Sequence, residues 1–192
     1  SAQGHLDVVQ FLQSKGASVD QPDKDGNTPL CIASGEGHLD VVQFLQSKGA
    51  SVDQPNKDGC TPLSISSAQG HVDVVEFLLS KGASIDQLKK YVPTPLSIAS
   101  RQGHLDVVQF LLSKGASIDQ PDKNECTPLF IASGLGHLDV VKFLVSKGAS
   151  VDQPDKNGCT PLFIASHHGH LDVVEVLLSN GARADHTAND GT

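Results

Sequence analysis

Nine histidines, four cysteines and 22 acidic side chains stand in this chain of 192 residues. Zinc sites, thiol nucleophiles and Ser-His-Asp constellations are built from such residues. Their spacing argues against all three. His5, His38, His71, His104, His137 and His170 recur at one constant interval, each inside the phrase Gly-His-Leu/Val-Asp-Val-Val. Residues that recur once per structural unit form a column spaced by one helix packing distance, about 8–10 Å. They cannot close on an ion that needs ligands at about 2 Å. Cys60, Cys126 and Cys159 share one position ahead of Thr-Pro, and Cys31 falls on a helix. A disulfide needs Cα atoms within about 7 Å, so equivalent cysteines in neighbouring units are expected to remain thiols. That suits a reducing compartment, the cytoplasm or the nucleus. The local cluster His167, His168 and His170 is expected to be a hydrogen-bonding or pH-responsive patch. Ser, His and Asp each keep to their own column, so no base lies beside a single nucleophile. The glycines recur at turns and helix ends, leaving no phosphate-binding loop. The chain therefore reads as non-enzymatic, with no catalytic residue, no metal and no cofactor.

The constant step from His5 to His38 and onward itself dictates the architecture. A period of roughly 20–50 residues marks a stack of one supersecondary unit, each copy burying its apolar face only against its neighbours. Within one period, Asp58-Gly59 signals a tight hairpin turn. Thr61-Pro62 then starts a helix, the Thr capping it and Pro occupying the first position, where no backbone donor is needed. This helix is predicted from Pro62 to about Ala68, and Gly70 breaks it. A second helix is predicted from about His71 to Ser80, with Asp73 and Lys81 at the ends that the helix dipole favours. Gly82 supplies the left-handed residue after it. Val72, Val74, Val75, Phe77, Leu78 and Leu79 cover too wide an arc for a lone amphipathic helix, so this one must lie between neighbours.

A hairpin, a Thr-Pro-Leu helix, a Gly-His link, a Val-Val helix and a Gly-Ala return resemble the ankyrin repeat, over the whole chain. The resemblance implies an all-α repeat solenoid, in which helix-turn-helix pairs stack and their β-hairpin loops project to one side like a cupped hand. On that reading residues 1–24 hold the second helix and return of a first repeat. Complete repeats cover 25–57, 58–90, 91–123, 124–156 and 157–189, and 190–192 open another. Both ends fall within repeats, so a fragment of a longer array is expected. The family's usual Thr-Pro-Leu-His gives way here to Cys31, Ser64, Ser97, Phe130 and Phe163 in the fourth place. Ser can partly replace the histidine's hydrogen bond to the Thr cap; Phe cannot, and Phe130 and Phe163 are expected to pack as an apolar pair. The family's asparagine hydroxylation site is Asp20, Asp53, Asp86, Asp119, Asp152 and Asp185 in this sequence.

Composition agrees with a stack. Only 4% of residues are aromatic and none is Trp, as suits packing along a line without a wide core. The net charge of −8 argues against nucleic acid, which selects clustered Lys and Arg. A lysine does recur at the hairpins, at Lys24, Lys57, Lys90, Lys123 and Lys156, but Asp or Asn flank most of these and a solvated mixed-charge edge is expected. No stretch reaches the roughly 20 apolar residues of a membrane span, and direct insertion by this segment is not expected.

Shared positions report the fold; the positions that differ are where a partner can be read. The resemblance implies binding through the hairpin tips and the exposed ends of the first helices. The helix-end pairs Gly35 and Glu36, Ala68 and Gln69, Arg101 and Gln102, Gly134 and Leu135, and His167 and His168 all differ while their flanks scarcely change. The most irregular tip, Leu88 to Pro93, replaces a turn Gly by Val92 and carries the chain's single Tyr, Tyr91, beside Lys90. Tyr and Arg are enriched at binding hot spots. The expected contact surface comprises Asp58, Gln69, Lys90, Tyr91, Arg101, Gln102, Asn124, Leu135, His167 and His168, centred on Tyr91, Arg101 and Gln102. The expected function is a monomeric, preorganised scaffold for a protein or peptide, a basic one matching the negative charge. Two alternatives stay open: an architectural, spring-like spacer in a long array of a membrane-anchored or cytoskeletal protein, and a regulatory appendage of an enzyme.

Overall fold

The computed structural model describes residues 5–86 and 93–184. Its Cα packing falls into two units, Ser1–Ile85 and Asp86–Thr192. The first holds α1 (Leu6–Ser14), α2 (Pro29–Gly35), α3 (Leu39–Ser47), α4 (Pro62–Gln69) and α5 (Val72–Ser80). The second holds α6 (Pro95–Gln102), α7 (Leu105–Ser113), α8 (Pro128–Leu135), α9 (Leu138–Ser146), α10 (Pro161–His167) and α11 (Leu171–Ser179). All of these elements are helices, and the described residues contain no strand.

Each short helix starts as its sequence requires. The hydroxyl oxygens of Thr28, Thr61, Thr94, Thr127 and Thr160 accept the backbone N–H three residues on, with Pro next in line. Phe in place of the family's His does not remove this cap, because the N–H of Phe130 still reaches the Thr127 oxygen at 3.2 Å. Where Ser stands, its hydroxyl adds a second link, Thr61 to Ser64 at 3.1 Å and Thr94 to Ser97 at 3.1 Å. The longer helices end in a left-handed glycine, such as Gly82 at φ +86°. There the Ala83 N–H returns to the Leu78 carbonyl at 3.0 Å and closes the helix end.

In the first unit α2 packs on α4, and α3 lies between α1 and α5. In the second, α8 lies between α6 and α10, and α9 between α7 and α11. Leu30, Leu63, Leu96 and Leu129 of the Thr-Pro-Leu phrases are fully buried, as are the Val-Val pairs Val41-Val42, Val74-Val75 and Val107-Val108. Small residues let the short helices approach closely: a Cβ added at Gly35 would stand 2.7 Å from the Ile65 side chain.

Polar ladders join successive copies. The Asp20 carboxylate accepts the Ser51 N–H at 3.1 Å, and Asp53 accepts both the N–H (3.0 Å) and the hydroxyl (2.7 Å) of Ser84. In the second unit Asp86, Asp119 and Asp152 accept the N–H groups of Ser117, Ser150 and Arg183. The acidic column at the family's hydroxylation position thus ties each return loop to the next.

Among the described residues the hairpin tips are turns, without the flanking strands that a β-hairpin would have. Asp23 N–H donates to the Asn27 carbonyl at 3.0 Å and Gly26 N–H to the Asp23 carbonyl at 3.0 Å. The Asp23 carboxylate also accepts the N–H groups of Asp25 and Asn27 at 2.9 Å each. These side-chain bonds replace a cross-strand ladder as the device that shapes the tip. Glu125, which stands where other tips have glycine, takes the glycine's conformation, φ +64° against +84° at Gly158. The altered residue changes the strain of that turn and not its form.

Candidate functional site

The contact surface read from the sequence divides between the two units. In the second unit, α6 ends in Arg101 and Gln102, both exposed, and α8 ends in Leu135, 48% exposed. His167 ends α10 and His168 follows it, both exposed. In the first unit, Gln69 at the end of α4 and Asp58 on a hairpin tip are exposed. Lys90 and Tyr91 lie outside the described residues, as does the rest of the irregular tip up to Val92.

The two members of each helix-end pair prove to have different roles. Glu36, Gln69, Gln102, Leu135 and His168 are exposed in every copy. The preceding position is not uniformly a surface. Gly134 is buried, and a Cβ there would stand 3.0 Å from Ile164, just as one at Gly35 would meet Ile65. Glycine at these two sites admits the isoleucine of the next copy, so packing and not recognition accounts for it. Only Arg101 and His167 at this position extend an exposed polar group.

His71, His137 and His170 are hydrogen-bonded to the preceding copy. His71 Nε2 lies 3.0 Å from the Gly35 carbonyl, and His137 Nε2 lies 2.8 Å from that of Arg101. A carbonyl only accepts, so each ring carries its proton on that nitrogen. The glycine of the preceding Gly-His phrase makes room: a Cβ at Gly37 or Gly136 would come within 2.6 Å of the next histidine ring. Both halves of the phrase therefore serve one inter-copy contact. The cluster around His168 elaborates it. His168 Nδ1 and His170 Nε2 both donate to the Gly134 carbonyl, at 2.6 and 3.2 Å. The His167 ring stacks parallel to Phe163 with centroids 6.3 Å apart and lies 5.2 Å from the His168 ring. Phe163 is half-buried beside this imidazole, whereas Phe130 is buried. Among the described residues, no three His, Cys, Asp or Glu side chains are grouped so as to hold a metal ion.

At the tips, Asn124 is half-buried and its side-chain oxygen accepts from Lys156 Nζ at 2.8 Å. The Lys156 N–H also reaches the Asn124 carbonyl at 3.0 Å, so neighbouring tips are stitched together. The Asp23 carboxyl is held below its usual range, first by the Asn27 N–H bond. The four cysteines are thiols. Burial pushes Cys31 and Cys60 upward, and it pushes Cys126 up to about 12. Such thiols carry almost no thiolate at neutral pH and are poor nucleophiles.

No helix among the described residues is long and apolar enough to cross a membrane. Sequence reasoning did not anticipate the Asp-to-Ser ladder between copies. The signal was present, since Asp20, Asp53, Asp86 and Asp119 are followed at one constant spacing by Ser51, Ser84, Ser117 and Ser150.

A family model for ankyrin repeats, described as three copies, matches residues 1–89, 51–122 and 96–190. Among solved structures, the crystal structure of the human ASB11 ankyrin repeat domain superposes with a TM-score of 0.93 at 29% identity, covering 100% of this chain and 86% of that one. No curated protein matches the chain.

Proposed function

The chain belongs to the ankyrin repeat family, and from that premise we propose a non-catalytic recognition module that docks a peptide or protein on its hairpin tips and first-helix ends. Ankyrin repeats generally bind proteins. The observation that carries the reading is the contrast in exposure along each first helix. Shared Leu30, Leu63, Leu96 and Leu129 are fully buried, while the differing residues Glu36, Gln69, Gln102, Leu135 and His168 are all exposed. Variation concentrated where it does not disturb packing is what a binding surface on a fixed scaffold requires.

Arg101, Gln102, Leu135, His167 and His168 form the proposed contact set of the second unit, and Asp58 and Gln69 that of the first. Asn124, Lys90 and Tyr91 complete the set as tip residues. Leu135 supplies an apolar anchor, Arg101 a bidentate donor and the His167–His168 pair a polar edge. Because caps, ladders and glycine contacts already order the backbone, binding requires little further ordering entropy. Thiols kept protonated by burial suit the proposed reducing compartment, cytoplasmic or nuclear.

The test is affinity capture with this chain, followed by calorimetry on the partner recovered. Alanine at Arg101 or Leu135 is expected to weaken a partner of this surface by at least about 1 kcal/mol. Undiminished affinity in both variants would refute the assignment of this face.

A further inference from the structure

Two bonds in this chain join Asn to Gly: Asn157–Gly158 on a hairpin tip and Asn180–Gly181 at the end of α11. Such a bond can rewrite itself, because no side chain crowds a glycine nitrogen and it can reach the asparagine amide carbon. The equivalent places on other tips differ. Where the last tip has Asn157 ahead of a positive-φ glycine, the tips of the first unit have Asp25 and Asp58. Asn124 holds the same place but precedes Glu125. Asn157 is thus the one tip amide followed by glycine.

A single residue ties both reacting groups down. The Gly158 N–H donates to the Asp155 carbonyl at 2.9 Å, and Gly158 is buried although Asn157 is exposed. The Asn157 side-chain Nδ2 donates to Asp155 Oδ2 at 3.1 Å. Asp155 Oδ1 accepts the backbone N–H groups of Asn157 and Cys159 at 2.9 and 2.8 Å. Asn56 shows what the carboxylate adds. It stands at the equivalent place in the first unit, and its Oδ1 accepts the N–H groups of Asp58 and Cys60 at 3.1 and 2.9 Å. The Gly59 N–H returns to its carbonyl at 3.0 Å. An amide therefore builds the same turn, but it has no second oxygen to accept a bond from the side chain two residues on.

We infer that Asn157–Gly158 is a self-modification site, and that the Asp155 carboxylate sets its rate by holding the side-chain amide off the glycine nitrogen. When the tip opens, the Gly158 nitrogen gives its proton to water and attacks Asn157 Cγ. A new N–C bond forms, the bond to the side-chain nitrogen breaks and ammonia leaves, closing a cyclic imide. Water then opens the ring at either carbonyl and gives Asp or isoaspartate. The net change is water in and ammonia out, with no oxidant or reductant. The Asp product is the residue that the tips at Asp25 and Asp58 already carry, so the turn accepts it. The isoaspartate product lengthens the main chain by a methylene and displaces the Cys159 N–H from the carboxylate. Either product adds a negative charge beside Lys156, whose ammonium links this tip to Asn124 at 2.8 Å. The site stands independently of the proposed function.

The test is ageing of the intact chain in mildly alkaline buffer, with peptide mapping by mass spectrometry to read Asp plus isoaspartate at both Asn-Gly bonds. Asn180 is the reference within the same molecule, since its Nδ2 donates to the Val176 carbonyl at 2.8 Å and not to Asp155. Conversion at Asn157 is expected, at least about tenfold slower than in a free peptide covering residues 151–160, because the tip must open first. Asp155→Asn keeps the turn and is expected to speed conversion at Asn157 at least about threefold, with the rate at Asn180 and the helix content unchanged. An unchanged or lower rate at Asn157 in this variant overturns the proposal. So would a rise at both bonds alike, which reports general loosening, conversion at Asn180 without any at Asn157, or equal rates in the chain and the free peptide.

Discussion

Gly103→Ala is the sharpest probe of how the copies are joined. Gly103 closes α6 at φ +76°, and a Cβ there would stand 2.7 Å from His137 Nδ1 and 2.9 Å from Cε1. The imidazole cannot retreat without lengthening its 2.8 Å bond to the Arg101 carbonyl. Three costs follow: about 1–2 kcal/mol for a side chain in the left-handed region, about 1–3 kcal/mol for overpacking, and about 1 kcal/mol for the displaced hydrogen bond. Gly115→Ala is the matched control, because Gly115 has φ +92° and nothing within 4 Å of an added Cβ. It should lose only the backbone contribution, about 1–2 kcal/mol, against about 3 kcal/mol or more for Gly103→Ala. Urea titration followed by far-ultraviolet circular dichroism measures both. His137→Ala removes the clash, so the double variant Gly103→Ala, His137→Ala should lose about 1–3 kcal/mol less than the sum of the single losses. Equal costs for the two glycine variants, or additivity in the cycle, would show that the Gly-His phrase does not link one copy to the next.

Other consequences are open to the same denaturation assay or to simple chemistry. The hydroxyls of Ser34, Ser67, Ser100 and Ser133 are buried without a hydrogen-bond partner among the described residues, so Ser100→Ala or Ser133→Ala should raise stability by about 1 kcal/mol each, and a loss would reveal a partner. Glu125 holds φ +64° as a non-glycine residue; Glu125→Gly is expected to stabilise by about 1 kcal/mol, and no change would show that the turn relaxes without strain. Burial raises the Cys126 thiol from 9.0 to about 12, so alkylation of Cys126 at pH 8 should run at least about tenfold slower than for an ordinary thiol and recover in denaturant, as peptide mapping would show.

The ladder arithmetic of the sequence carried over into three dimensions because it rests on local chemistry. Thr followed by Pro caps and starts a helix wherever it stands, and the boundary expected near Ala68 falls one residue further, at Gln69. Glycine after Lys81 adopts positive φ for reasons internal to the backbone. The identity of the short and long helices, the thiols and the periodic histidine column were legible for the same reason.

What a residue touches across the stack was not legible. Glycine at position 134 looked like variation on a binding surface, and only packing against Ile164 revealed it as a buried accommodation. The pairing of Asp53 with Ser84 joins residues of different copies. By itself the sequence determined the period, the helices, their caps and the column each residue belongs to, since these follow from propensities within a few residues. Tertiary structure alone decided which columns face each other and which exposed positions lie together, because those contacts depend on how far apart and at what rotation successive copies stack.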